Sequence, residues 1–168
     1  MVKIKPLSLC ISTMGSKGLE IVKIHPNILS EEILNEIALK SMPMGAKEYD
    51  FITVTLADMK VFSALIFTVP LQLGRDNIVS LIAVFKSINY NAEIIQKNFV
   101  KIITGIKENL DISIEVVSKL LYDIFEGIKR EKFKLNLPSN ITIDLDFSGL
   151  SLKSKKDKVK NLTSDVWG

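Results

Sequence analysis

Apolar and polar residues alternate along much of this chain with two different periods, and the periods change at places marked by turn and capping residues. Leu7, Leu9 and Ile11 alternate with Ser8, Cys10 and Ser12, which predicts a strand with large apolar side chains on one face and small ones on the other. The small face would let a helix approach closely. Met14-Gly15-Ser16-Lys17-Gly18 reads as a turn, and Leu19 to Ile24 as the second strand of a hairpin. Glu20 and Lys23 on that strand, and Pro26 at its end, mark a sheet edge guarded against further pairing. Ser30 is a helix N-cap with Glu31 and Glu32 in the first turn. The helix runs to about Ser41, before Pro43 and Gly45. Ile33, Leu34, Ile37 and Ala38 form its inner face, with Glu32, Asn35, Glu36 and Leu39 on the other.

Three strands follow. Ile52, Val54 and Leu56 alternate with Phe51, Thr53 and Thr55, a strand buried on one side. Val61–Val69 and Ile78–Phe85 are apolar on both faces, as expected of central strands in a sheet covered on both sides. Short connections make the three a meander. Asn91 caps a helix whose face carries Ile94, Ile95, Phe99, Ile102 and Ile106, with Asn98 as a polar intruder. Ser113 caps another, with Ile114, Val117, Leu121, Ile124 and Ile128 inside and a lysine-rich end at Lys129–Lys132. Ile141, Ile143, Leu145 and Phe147 then alternate with Thr142, Asp144 and Asp146, an extra strand with no evident partner. From Ser148 onward a polar segment carries Lys153, Lys155, Lys156, Lys158 and Lys160. The element order is therefore β-β-α-β-β-β-α-α, an α/β sandwich of the α+β kind. The expected division is a domain over 1–132, an extension with the extra strand over 133–147, and a flexible lysine-rich tail over 148–168.

Composition narrows this only slightly. At 168 residues with 47% hydrophobic and 24% charged residues, the chain suffices for one domain with a sizeable core. Mean hydropathy is +0.26, yet the longest apolar stretch, Val61 to Leu73, is broken by Ser63, Thr68, Pro70 and Gln72. A helical span needs roughly 20 apolar residues, so no transmembrane segment is expected, and the N-terminus reads as a strand rather than a signal peptide. One cysteine and one histidine leave no internal disulfide and no Cys- or His-rich metal site, and fit a cytoplasmic protein. The sequons Asn140-Ile-Thr142 and Asn161-Leu-Thr163 would matter only in a secreted one.

The search for chemistry finds no catalytic signature. There is no glycine-rich phosphate loop and no HExxH, so neither cofactor nor metal is expected. A nucleophilic triad would have to use His25, which sits beside Pro26 at a strand end and reads as structural. Cys10 reads as a buried inert thiol, and Asp144 and Asp146 as a solvated face. The net charge of +3 does not make the body a nucleic-acid surface. The five tail lysines fit a solubilising terminus or an anionic membrane surface, and the aromatic interleaving of single-strand binders is missing.

The order of elements resembles the longin domain. The resemblance spans roughly Lys3 to Lys132 and is carried by Gly18-Leu-Glu-Ile-Val-Lys-Ile-His-Pro26 leading into the helix at Ser30, by Ser80-Leu-Ile-Ala-Val-Phe85, and by the helix pair from Asn91. It implies one five-stranded sheet with one helix on one face and two on the other, and a non-enzymatic interaction module of membrane-trafficking or small-GTPase platforms, pairing with itself or another longin or roadblock subunit. Such domains often pair through the first helix and the neighbouring edge strand. The chain lacks the coiled-coil heptads and C-terminal cysteine of the fusion-protein members. The uncharged strand of Phe51, Thr53 and Thr55, with the helix face of Glu32, Asn35, Glu36 and Leu39, is the expected partner surface. The other reading of this architecture is a small-ligand sensor of the profilin or PAS kind, with a pocket between sheet and helices.

Overall fold

The computed structural model describes residues 3–71, 74 and 76–151. Seven strands, three α-helices and a short 3-10 turn follow in the order β1 (Ser8–Gly15), β2 (Gly18–His25), α1 (Glu31–Lys40), β3 (Phe51–Thr55), β4 (Val61–Pro70), β5 (Asp76–Phe85), α2 (Ala92–Asn109), α3 (Ile114–Lys129), β6 (Lys132–Leu137), the 3-10 turn (Pro138–Asn140) and β7 (Ile141–Asp146). The first five strands form one antiparallel sheet ordered β2-β1-β5-β4-β3. β5 and β4 lie at its centre, where the two doubly apolar runs belong. The expected α+β sandwich is the fold.

The three capping residues act as their types dictate. Ser30, Asn91 and Ser113 each accept a backbone N–H from the first turn of the helix that follows, from Ile33, Glu93 and Val116, which satisfies donors the helix itself cannot. Each helix then buries its apolar stripe. On one face of the sheet, Ile37 of α1 packs with Cys10, Phe62, Ala64, Ile82 and Val84. The small side chains of β1 do admit α1 closely: Ser12 Oγ meets Ser41 Oγ at 2.7 Å at the helix end. On the other face α2 and α3 cover Leu9, Ile11, Leu65, Phe67, Leu81 and Phe85.

A fourth layer lies beyond α2 and α3. The strand at Ile141–Asp146 does have a partner, β6, and the two make a separate antiparallel hairpin. The lysine-rich stretch is divided between elements: α3 ends at Lys129 and Lys132 already begins β6. Phe133, Leu135 and Leu137 alternate with Lys132, Lys134 and Asn136, and the apolar set faces the helices. Leu135, Leu137, Leu145, Phe147 and Leu150 join the same core as α2 and α3. Two helical glycines permit the approach. A Cβ at Gly127 would stand 2.2 Å from the Phe133 ring, and one at Gly105 would stand 2.4 Å from Ile143. Asn98, the polar intruder, is 1% exposed and clamps the hairpin. Its Nδ2 donates to the Asp146 carbonyl at 2.8 Å and to the Ile94 carbonyl at 2.9 Å, while its Oδ1 accepts the Asp146 N–H at 3.0 Å. A side-chain amide thus takes the place of a neighbouring strand at that rung.

Candidate partner-binding edge

β3 is an edge strand, with β4 on one side and, among the described residues, no strand on the other. Its phase follows from the bonds at its two ends. Ile66 N–H donates to the Asp50 carbonyl at 2.9 Å, and Leu56 N–H donates to the Lys60 carbonyl at 2.7 Å. Ladder bonds alternate along an antiparallel pair, so residues 52 and 54 also turn their backbone groups toward β4. Phe51, Thr53 and Thr55 therefore aim theirs outward. These are the three β3 residues expected at a partner surface.

Local structure holds the strand in place at both ends. At its start Tyr49, at φ 68°, and Asp50 both face Ile66, Tyr49 N–H donating to the Ile66 carbonyl at 2.7 Å. This is a bulge that ends the pairing. Glu48, beside it, is bonded by Lys107 of α2 and by Thr68 of β4. Partial burial alone would raise the Glu48 carboxyl, but the bonds from Lys107 and Thr68 outweigh it and hold the group below the usual carboxylate range. At the far end Glu36 of α1 accepts the Ala57 N–H at 3.1 Å and the Lys40 ammonium at 2.7 Å. Lys40 first and Ala57 second pull its pKa down. In the middle, hydroxyls form a chain from the core to the edge: Tyr90 Oη to Ser63 Oγ at 2.6 Å, and Ser63 Oγ to Thr53 Oγ1 at 2.8 Å. Tyr90 is stacked on Phe85 with ring centroids 3.8 Å apart.

The other strand edges are guarded. β2 carries Glu20 and Lys23 and is bulged at Val22, because Ile11 pairs with Lys23 and Ser12 with Ile21. β6 presents Lys132 and Lys134, and β7 presents Asp144 and Asp146 directly across from them; Asn98 blocks the Asp146 rung. Charges, bulges and covering groups are the usual means of preventing edge pairing. Of these edge strands only β3, with the sequence Phe-Ile-Thr-Val-Thr, has no charged residue along its length.

The α1 residues expected at this surface divide. Glu32, Asn35 and Leu39 face solvent, and Leu39 is 71% exposed. Glu36 is partly covered, its carboxylate occupied by the β3–β4 turn. Lys153, Lys155, Lys156, Lys158 and Lys160 lie outside the described residues. Tyr49, Ser63 and Tyr90, which support the edge, were not discernible from periodicity, since a cross-strand hydroxyl chain depends on register.

The remaining chemical candidates lie on other elements: His25 ends β2, Cys10 lies in β1, and Asp144 and Asp146 lie in β7. His25 meets the rings of Tyr122 and Phe125 edge-on, centroids 5.0 and 5.3 Å away. Cys10 is fully buried, and burial pushes its thiol up to about 12, so no reactive thiolate forms near neutral pH. The Ser148 hydroxyl first, and then the Ser148 N–H that Asp146 accepts at 2.9 Å, hold the Asp146 carboxyl below the ordinary range. No helix among the described residues is long and apolar enough to cross a membrane.

No family model matches the chain, and no curated protein matches it. The functional reading rests on the fold and on this edge.

Proposed function

We propose that this chain is a non-enzymatic, longin-like interaction subunit of a cytoplasmic assembly that regulates a small GTPase or serves membrane trafficking. The partner, a second copy or another longin or roadblock subunit, adds a strand to β3. The observation that carries the reading is the uncharged, outward-facing β3 edge, where the other strand edges among the described residues are guarded. The order of elements, with α1 on one face and α2 and α3 on the other, supports the longin likeness.

In the symmetric version Thr53 lies opposite Thr53 of the second copy, and each Phe51 opposite a Thr55. Every outward residue then exchanges both its backbone bonds, and main-chain pairing supplies affinity as in strand addition generally. Leu39 on the adjoining helix face adds apolar contact. The test is the solution mass of the purified protein at high micromolar concentration, where an 18.8 kDa chain is expected as a dimer. Thr53→Lys and Leu39→Glu should each shift it toward monomer. If the wild type is strictly monomeric, the symmetric version is wrong. The heteromeric version then stands or falls on whether a small GTPase or a longin or roadblock subunit co-purifies and is lost with Thr53→Lys. A nucleotide-exchange assay with that GTPase tests the regulatory role.

A further inference from the structure

Three of the chain's five methionines gather at the end of the sheet where β1 finishes and β5 begins. Met14, Met42 and Met44 line one cleft of about 420 Å³ together with Leu19, Asp76 and Ile78. The described core is built from isoleucine, leucine, valine, phenylalanine and alanine, and no methionine belongs to it. These three side chains are therefore not gap-fillers of the interior, the usual use of methionine.

Local structure brings them together. Cys10 and Ser12 face α1, so alternation along β1 puts Met14 on the same side. Ser41, just after α1, is fully buried and ties the following loop to the sheet. Its Oγ meets Ser12 Oγ at 2.7 Å and donates to the Ala38 carbonyl at 3.0 Å, and its own carbonyl accepts the Ser80 hydroxyl at 3.4 Å. Met42 follows at once. Pro43 to Ala46 then form a turn, closed by Ala46 N–H on the Pro43 carbonyl at 3.1 Å, with Gly45 at φ 81°. Met44 stands at the second position of this turn, where proline is common. It is 103% exposed and Met14 is 54% exposed, so neither has a packing role that would account for it.

The chemistry of the lining selects the occupant. A thioether is a soft donor that suits Cu(I) and similar ions, whereas hard cations take oxygen. Asp76 is the only charged residue among the described ones that line the cleft, which favours a cation over an anion. An unbranched side chain with three rotatable bonds lets Met44 fold over an ion held by the other two. Patterns of cysteine and histidine do not reveal such a site.

We propose that this cleft binds one soft monovalent metal ion, Cu(I) or Ag(I), through the sulfurs of Met14, Met42 and Met44, with Asp76 placing a negative charge beside it. No β3 residue lines the cleft, so the site is independent of the strand-addition reading.

The test is titration of the full chain with Ag(I), and anaerobically with Cu(I) in competition with bicinchoninate, followed by native mass spectrometry and by the methionine ε-methyl NMR signals. One ion is expected per chain, with Zn²⁺ excluded. The signals of Met14, Met42 and Met44 should move and that of Met59 should stay. Uptake should persist in Cys10→Ala, or in Cys10→Val if the smaller side chain loosens the core, because the thiol is not a ligand. Met42→Leu with Met44→Leu conserves volume and should weaken binding at least about tenfold, the loss that removal of even an outer-shell partner brings. Met14→Leu should do the same, and Met59→Leu should change nothing. A thioether carries no proton to lose, so affinity should stay level between about pH 5 and 8, where a thiolate or imidazole site would weaken in acid. The proposal is overturned if no Ag(I) or Cu(I) binds, if Zn²⁺ binds equally, if uptake disappears with both Cys10 variants, or if full affinity survives replacement of all three methionines by leucine. A cleft that serves an apolar ligand instead would take up no Ag(I).

Discussion

Proline placed at two adjacent positions of β3 should give opposite results, because neighbouring residues turn their N–H groups in opposite directions. At position 53 the N–H faces away from β4. Thr53→Pro removes no ladder bond, and its neighbour Ile52 is already extended, as a residue before proline must be. What is lost is the hydroxyl bond to Ser63 at 2.8 Å, worth about 1 kcal/mol. The lower entropy of the unfolded chain recovers a few tenths of a kcal/mol. At position 54 the N–H faces Phe62 across the ladder. Val54→Pro deletes that bond and orphans the Phe62 carbonyl, at about 1–3 kcal/mol. It also withdraws a half-buried side chain from the α1 side of the core, about 1 kcal/mol more. For a domain of this size 1 kcal/mol moves the thermal midpoint by about 2–4 °C. Thr53→Pro should therefore cost about 3 °C or less, and Val54→Pro about 6–12 °C. The assay pairs thermal melts followed by circular dichroism with sedimentation equilibrium. Thr53→Pro should give a stable monomer. Equal losses of stability at the two positions would refute the assigned ladder phase, and an undiminished dimer with Thr53→Pro would refute β3 as the contact.

Two further outcomes follow from groups that periodicity alone left unexplained. Asn98→Ala removes both bonds to Asp146 and leaves backbone groups of β7 without partners near a packed core, so it should cost about 2–4 kcal/mol. Hydrogen exchange should locate the loss in β6 and β7; unchanged protection there would contradict the clamp. Glu48 gives a pH dependence with a definite sign. Its folded pKa is depressed by Lys107 and Thr68 against the opposing effect of burial. The stability it contributes is thus present above the unfolded carboxylate pKa and is lost as pH falls through the lower folded value. Glu48→Gln should lower stability at neutral pH by about 1 kcal/mol, as for a partly exposed pair, and flatten the acid limb of the stability curve. A steeper acid limb in the variant would show the sign to be wrong.

Much of the fold was legible because it rests on periodicity. The two-residue alternation of β1 and β3, the doubly apolar runs of β4 and β5, and the caps Ser30, Asn91 and Ser113 are local signals, and local sterics and hydrogen bonding make them reliable. Phe51, Thr53 and Thr55 were discernible as a possible edge because the absence of charge is itself a sequence property. The hairpin partner of β7 shows where that logic ends. Phe133, Leu135 and Leu137 alternate as plainly as any strand here, but they follow a lysine-rich helix end, and nothing local says which of two patterns Lys132 belongs to.

By itself, the sequence determined the element types, their order, the faces they bury and the absence of charge from Phe51 to Leu56, since each depends on neighbours a few residues apart. Tertiary structure alone decided which of the four strand edges among the described residues stays open. That required β5 to pair with β1, Asn98 to reach Asp146 across 48 positions, and Tyr90 to meet Ser63. Contacts between residues distant in sequence depend on strand direction and register, and these are settled by the packing of the whole core.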